Sequence, residues 1–212
     1  ARLRGGLALL RGDRPLVLFL VARLVYNDGL NTLFSFGGIY AAGTFGMAID
    51  EVILFGVVLN VTAGLGAWLL ASLDDRLGSK PTILLSLVGL TVFGALALLA
   101  ADKATFWVAG TCLGLFVGPT QAASRTLMAR LTPPDRRAEL FGFYALTGKI
   151  TAFVGPALLA GATLLFASQR GGMAVILLFF VTGGLLLLLV REPARPVAPA
   201  SGEARRVVPE TP

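Results

Sequence analysis

Polar side chains interrupt the first long apolar stretch of the sequence, at Arg23, Asn27, Asp28 and Asn31. On a helix with about 100° per residue, Arg23, Asn27 and Asn31 share one face with Phe34, whereas Asp28 points to one side of that stripe. A charge at the centre of a membrane-spanning helix costs about 2.5–3.5 kcal/mol on insertion scales, so it needs a partner or a wet cavity. The stripe therefore predicts a polar surface inside a helical bundle.

Later apolar stretches carry Arg125, with Gln121 one turn above it, and Lys149, while Asp28 is the lone acid within these stretches. The excess of positive charge favours an anionic or zwitterionic solute, or charge pairs with further polypeptide. Arg23 and Arg125 have an alternative interpretation, because long side chains can snorkel to the interface. Asp28 is too short to snorkel, and we rank it first as a substrate or proton-coupling residue, with a structural counter-ion as its alternative. The predicted substrate or coupling cavity comprises Arg23, Asn27, Asp28, Asn31, Gln121, Arg125 and Lys149.

Several kinds of chemistry are excluded by what the sequence lacks. It has no histidine and one cysteine, Cys112, so we predict no metal site, no disulfide framework and no cofactor. An intramembrane enzyme would need a nucleophile with a base or paired carboxylates, and Asp28 stands alone. The net charge of +6 is spread between apolar stretches rather than gathered in a patch, which argues against nucleic acid as a partner.

The elements that must position these residues are membrane-spanning helices. Hydrophobic residues make up 56% of the 212-residue chain against 14% charged, and apolar runs of about 20 residues are long enough to cross the bilayer core. Backbone amides in lipid must be satisfied within their own segment, so the predicted fold class is an all-α integral membrane protein. The six predicted spans are 16–40, 52–70, 81–101, 106–128, 140–166 and 173–190.

Basic residues indicate the orientation of these spans. They concentrate before the first span, in the second and fourth loops and after the last span, whereas the opposite loops hold only Lys103 and Arg170. The positive-inside rule then places both ends in the cytoplasm, in the cell membrane. The predicted domains are a cytoplasmic segment 1–14, the transmembrane region 15–190, and a disordered, solvated tail 191–212 whose basic residues could touch anionic lipid. The chain begins without methionine and reads as a fragment; a natural six-helix protein that pairs as a dimer is the alternative.

The connection at residues 73–80 resembles the signature loop of the major facilitator superfamily. Asp75, Arg76, Gly78 and Lys80 match its pattern, whereas Ala71 and Ser79 depart from it. A carboxylate near the start of the third helix complements the helix dipole, and Gly78 permits a tight reversal. The resemblance implies that Asp75 and Arg76 belong to a conformational gate, with Gly78 and Lys80 in the same loop. An ordinary positive-inside turn is the alternative.

Small residues mark two further spans. Glycines recur at four-residue spacing before a proline in the fourth span, and a Gly-Pro pair in the fifth resembles a motif of facilitator-type antiporters. Glycines so spaced let another backbone approach, and proline bends a helix. We interpret this set as packing residues first and as bending residues second: Gly110, Gly114, Gly118, Pro119, Gly155 and Pro156.

Residues 26–40, 73–80, 114–125 and 141–149 together resemble one branch of the superfamily, the bacterial proteins related to fungal vacuolar amino-acid effluxers of autophagy. The resemblance extends over about residues 15–190. It implies that these six helices, as a three-plus-three inverted repeat, form the C-terminal half of a twelve-helix transporter. The implied activity is alternating-access transport of a small solute, with an amino acid or another zwitterion or anion as candidates, and no enzyme chemistry. The implied partners are the solute, the lipid bilayer and the missing N-terminal half, with protons as a candidate for coupling. A non-transporting scaffold or receptor is the alternative.

Overall fold

A computed structural model describes residues 13–191, apart from the side chain of Ile150. This region is helical: α1 Arg14–Phe45, α2 Ile49–Leu77, α3 Ser79–Leu99, α4 Lys103–Leu131, a short 3-10 turn Pro134–Arg136, α5 Arg137–Ile150, α6 Val154–Phe166 and α7 Gln169–Leu188. Nearly all of the predicted cytoplasmic segment 1–14 and of the predicted disordered tail 191–212 lies outside the described residues.

Within residues 13–191, five helical stretches are long and apolar enough to cross a membrane, namely Arg14–Phe45, Ile49–Leu77, Ser79–Leu99, Pro134–Phe166 and Gln169–Leu188. Helix α4 is not among them, although its 29 residues would span the hydrocarbon core at about 1.5 Å per residue. Polar residues between Thr120 and Arg130 lower its hydropathy. The predicted fourth span is therefore present as a helix of sufficient length, and it packs against both α2 and α3.

The predicted all-α bundle is confirmed, and its helices pack in a pattern compatible with two exchanged triplets. Helix α1 packs most extensively on α7, and α3 packs to a similar extent on α4. Exchanging the first three spans with the last three converts one of these pairs into the other, as an inverted repeat requires, whereas the extensive contact of α2 with α4 has a smaller counterpart between α1 and the fifth span. The core between them is apolar and includes Phe19, Leu90, Leu127 and Phe180.

Helices α2 and α4 approach each other closely through glycines. A Cβ atom on Gly118 would overlap the backbone oxygen of Ala63, and one on Gly66 would overlap the backbone oxygen of Leu115. The structure places Gly110 and Gly114 on the same face of α4, against Phe55 and Thr62. The helix continues without interruption through Pro119.

The fifth predicted span, 140–166, is wrong as a single helix. Helix α5 ends at Ile150 and α6 begins at Val154, so a turn at residues 151–153 separates them. In a continuous helix, Pro156 would leave the carbonyl of Ala152 without its hydrogen bond, and its ring would clash with that carbonyl. The break places Pro156 in the first turn of α6, where no intrahelical N–H bond is needed.

The second loop also differs from the expectation. Helix α2 continues to Leu77 and α3 begins at Ser79, so Gly78 alone separates them, with φ of 109°. Asp75 and Arg76 therefore lie in the last turn of α2, and the expectation of a carboxylate at the start of α3 is wrong for Asp75. The tight reversal assigned to Gly78 is present, because few other residues adopt a positive φ.

Candidate functional site

Arg23 is held inside the bundle by the first half of the broken span. Its Nη1 atom donates to the backbone oxygen of Tyr144 at 2.8 Å and to Oγ1 of Thr147 at 3.0 Å. Its Cζ atom lies 3.5 Å from the centroid of the Tyr144 ring, a close cation–π contact. The residue is only 9% exposed, so its guanidinium is covered by the surrounding helices.

Asp28 caps the second half of the same span. Its Oδ2 atom accepts a hydrogen bond of 2.8 Å from the backbone amide of Gly155, in the first turn of α6. A carboxylate at a helix N-terminus satisfies an orphan amide and complements the positive dipole end. The side chain is 2% exposed, and its other oxygen, Oδ1, has no hydrogen-bond partner among the described residues.

Thr32 explains why residue 155 has no side chain. The Thr32 hydroxyl donates to the backbone oxygen of Asp28 at 2.8 Å, which fixes its position on α1. A Cβ atom on Gly155 would overlap this hydroxyl. The absence of a side chain at Gly155 thus lets the start of α6 approach the Asp28 carboxylate.

Polar side chains of α1 bind both halves of the broken span. Arg23 donates to the backbone oxygen of Tyr144 near the middle of α5, and Asn31 donates to that of Gly148 at 3.3 Å in its last turn. Asp28 faces the positive end of α6. Broken helices of this kind form solute and ion sites in many transporters, because they present free backbone groups inside the membrane.

A polar cavity of about 80 Å³ lies between α1 and α4, next to the start of the broken span. Four of the residues predicted for the solute cavity line it: Arg23, Asn27, Gln121 and Arg125. Gln121 and Arg125 are exposed at the bundle surface, so the cavity opens there. The other three predicted residues do not line it, since Asp28 and Asn31 bind the broken span and Lys149 is exposed without a hydrogen bond to the described residues.

Tyr26 and Ser124 join the same cavity and were not predicted. The Tyr26 hydroxyl lies 2.7 Å from the Ser124 hydroxyl, which in turn donates to the backbone oxygen of Thr120 at 2.5 Å. This chain of hydroxyl groups links α1 to α4 behind the cavity. The sequence does indicate Ser124, because this residue precedes Arg125 and lies one helical turn from both Gln121 and Thr120. Hydroxyl side chains are common in membrane spans, however, so a hydroxyl alone does not identify a cavity residue.

Polar contacts at the Gly78 end of the bundle include Asp74, which was not among the predicted gate residues. Ser79 donates to Oδ1 of Asp74 at 2.6 Å, and Nη2 of Arg130 lies 3.7 Å from the same oxygen. These contacts connect the ends of α2, α3 and α4. Asp75 and Arg76 are exposed.

Lys80 caps the C-terminal end of α7. Its Nζ atom donates to the backbone oxygen of Leu188, the last residue of α7, at 2.8 Å and to that of Val190, two residues further on, at 2.6 Å. A cation at a helix C-terminus satisfies orphan carbonyls and complements the negative dipole end. The basic position of the signature-like loop thus fixes the end of α7 to the start of α3.

Comparison with known proteins places this arrangement in a family. The family model described as vacuole effluxer Atg22 like matches residues 7–195. The chain is 28% identical to an uncharacterized MFS-type transporter of Bacillus subtilis over 71% of this chain and 35% of that protein. It is 29% identical to autophagy-related protein 22 of Cryptococcus neoformans over 67% of this chain and 29% of that protein. A probable 4-methylmuconolactone transporter of Cupriavidus pinatubonensis is 31% identical over 55% of this chain and 28% of its own. The matched region is about a third of the length of these relatives.

Proposed function

Because the chain belongs to the vacuole effluxer Atg22-like family, a family of multi-pass membrane transporters of the major facilitator type, we propose that it forms one six-helix half of a secondary transporter. The half moves a small anionic or zwitterionic solute by alternating access, together with a second six-helix half. Relatives about three times as long as the matched region have length enough for a second six-helix half. The protein lies in the cell membrane, with both ends of this region in the cytoplasm.

The observation that carries the proposal is the polar cavity between α1 and α4. Two guanidinium groups, of Arg23 and Arg125, line it with the amides of Asn27 and Gln121. Arginine offers five N–H donors in a fixed plane, which suits a carboxylate or another oxyanion. Arg23 uses Nη1 for the broken span, so its remaining donors are available to a solute.

The broken span supplies the moving part. Helices α5 and α6 meet at a three-residue turn, and few of their residues are buried. Arg23 and Asn31 hold the end of α5, while Asp28 holds the start of α6. A solute that binds Arg23 therefore acts on a residue that also positions α5, which is how binding would shift the balance between inward-open and outward-open states.

The contacts between Asp74, Ser79 and Arg130 form the cytoplasmic gate in this proposal. They join three helix ends on the side where basic residues concentrate. Asp75 and Arg76 remain candidates for contacts with the second half, because both are exposed at the same end. Asp28 remains the candidate for proton coupling, since one of its buried oxygens is without a hydrogen-bond partner among the described residues.

Uptake into proteoliposomes tests the proposal. The complete protein is reconstituted, and a panel of labelled amino acids and organic anions is offered alongside protein-free liposomes. We expect saturable uptake of at least one anion or zwitterion, and loss of that uptake in Arg125→Gln but not in Arg136→Gln, which changes an exposed arginine outside the cavity. If no solute in the panel enters, the proposal fails, and the buried charges then serve a membrane scaffold or receptor.

A further inference from the structure

We infer that the solute is an amphipathic organic anion with an apolar body and no ammonium group. The inference rests on the proposed function and narrows it. Two cavities follow one another along α1 and α4, one polar and cationic and the other apolar. In this inference the polar cavity binds the charged end of the solute and the apolar cavity binds its apolar body.

The polar cavity contains charged donors for an anion, and no carboxylate among the described residues that line it could pair with a cation. Its charged lining groups are the guanidinium groups of Arg23 and Arg125, and none of its lining residues is acidic. Asp28 lies on the same helix but outside this lining, and the Gly155 amide already binds its Oδ2 atom. An ammonium group in this cavity would meet two positive charges and no carboxylate, which opposes a zwitterionic amino acid.

The apolar cavity, of about 230 Å³, lies further along the same two helices. Its walls include Phe34 of α1, Phe55 of α2 and Phe180 of α7, and no charged residue lines it. An apolar protein cavity of about 150 Å³ is large enough to bind benzene, so this one has room for an aromatic ring or a short branched chain.

The two cavities are neighbours. On α1 the polar cavity reaches Leu30 and the apolar cavity begins at Leu33, while on α4 the corresponding residues are Thr120 and Val117. Three residues of helix rise about 4.5 Å, so both helices give the same short offset. The facing edges of the two cavities, at Leu30 and Leu33, are therefore separated by the length of a short carbon chain.

Two glycines line the apolar cavity and provide a clean perturbation. A Cβ atom on Gly37 of α1 or on Gly56 of α2 would meet no atom within 4 Å, because both positions face open space. A larger side chain there fills the cavity without displacing a neighbour. Gly64 of α2 is also open within 4 Å but does not line the cavity, which makes it the matched control.

The test uses 3-phenylpropanoate, which has a carboxylate and a ring joined by a short chain. Binding to the complete protein in nanodiscs is measured by calorimetry and compared with propanoate, which lacks the ring, and with L-phenylalanine, which adds only the ammonium group. We expect 3-phenylpropanoate to bind about tenfold or more tightly than either, from the burial of the ring and the absence of an unpaired positive charge. Gly37→Leu should weaken its binding about tenfold, whereas Gly64→Leu should leave it unchanged.

Equal or tighter binding of L-phenylalanine overturns the inference, as does undiminished binding to Gly37→Leu or the absence of 3-phenylpropanoate binding to the wild-type protein. A different set of results would refute the proposed function. Proteoliposome uptake of another solute, with no 3-phenylpropanoate binding, refutes the inference and leaves the transporter standing. Binding of 3-phenylpropanoate with the expected glycine effects, but with no uptake of any solute, supports the site and refutes transport.

Discussion

Replacing Asp28 with alanine tests whether a carboxylate on α1 holds the broken fifth span together. The change removes the hydrogen bond that the Gly155 amide donates to Oδ2, leaving an unpaired N–H in the first turn of α6. It also removes the negative charge that faces the positive end of that helix. Asp28→Asn is the matched variant, because its amide oxygen still accepts from Gly155.

The magnitude follows from these two contacts. A hydrogen bond to a charged group is worth about 1.5–3 kcal/mol, and a charge at a helix end about 0.3–2 kcal/mol. Relief of the buried, unpaired Oδ1 atom offsets part of the sum. We expect Asp28→Ala to lower the free energy of unfolding by about 2 kcal/mol, and Asp28→Asn by less than about 1 kcal/mol.

The assay is thermal unfolding of the complete protein in nanodiscs, with Asp135→Ala as the control. Asp135 is an exposed carboxylate paired with its neighbour Arg136, so its loss should change stability by less than about 0.5 kcal/mol. The reasoning is refuted if Asp28→Ala unfolds at the wild-type temperature. It is also refuted if Asp28→Asn is as unstable as Asp28→Ala, because the acceptor would then not matter.

Three further predictions concern packing and capping. Gly66→Ala should destabilise the protein by about 1–3 kcal/mol in the same unfolding assay, because the added Cβ atom overlaps a backbone oxygen of α4. Gly64→Ala, the control, should be neutral or stabilising. Similar stabilities for the two variants would contradict the close approach of α2 and α4. Gly155→Ala should also lower the stability of the protein by about 1–3 kcal/mol, because the added Cβ atom clashes with the Thr32 hydroxyl. Adding Thr32→Ala should restore stability in the double variant. Strictly additive effects of the two changes would exclude this contact. Hydrogen bonds from the Thr105 backbone and side chain hold the pKa of Asp102 below its usual value. The contribution of the Asp102 carboxylate to stability should therefore be fully present above about pH 4 and be lost as the pH falls through the lowered pKa. An Asp102→Asn variant with the same acid unfolding profile as wild type would refute this.

The helices and the polar stripe could be predicted from sequence because hydropathy and helical period are local properties. Arg23, Asn27 and Asn31 were expected on one face of α1, and they do face a common neighbourhood, with Arg23 and Asn31 binding α5 and Asn27 lining the cavity. The family resemblance also came from local motifs and is confirmed by the match over residues 7–195.

The break between α5 and α6 could not be predicted in the same way. Residues 150–154 read as helix-compatible and largely apolar, so their pattern continues the span. Two features outside that pattern favour the break, namely the exclusion of Pro156 from a helix interior and the Asp28 carboxylate of another helix. A contact between residues 127 positions apart leaves no periodic signal in either segment.

The contacts of Asp74 and Asp75 could not be predicted from the sequence pattern either. The motif pattern selects Asp75, which lies beside Asp74 in the last turn of α2. Asp74 contacts Ser79 and Arg130, a role that the pattern does not indicate. The motif therefore identifies the connection, whereas the contacts of each carboxylate depend on where the helix ends.

Alternating access is the central claim, and labelling at Gln121 tests it most directly. Gln121→Cys is made in the complete protein without other reactive cysteines, including Cys112→Ser, and a membrane-impermeant maleimide is applied from either side of oriented vesicles. Gln121 is exposed and lines the polar cavity, so we predict modification from both sides and slower modification from both when a transported solute is present. Modification from one side alone, unaffected by any transported solute, would contradict the account.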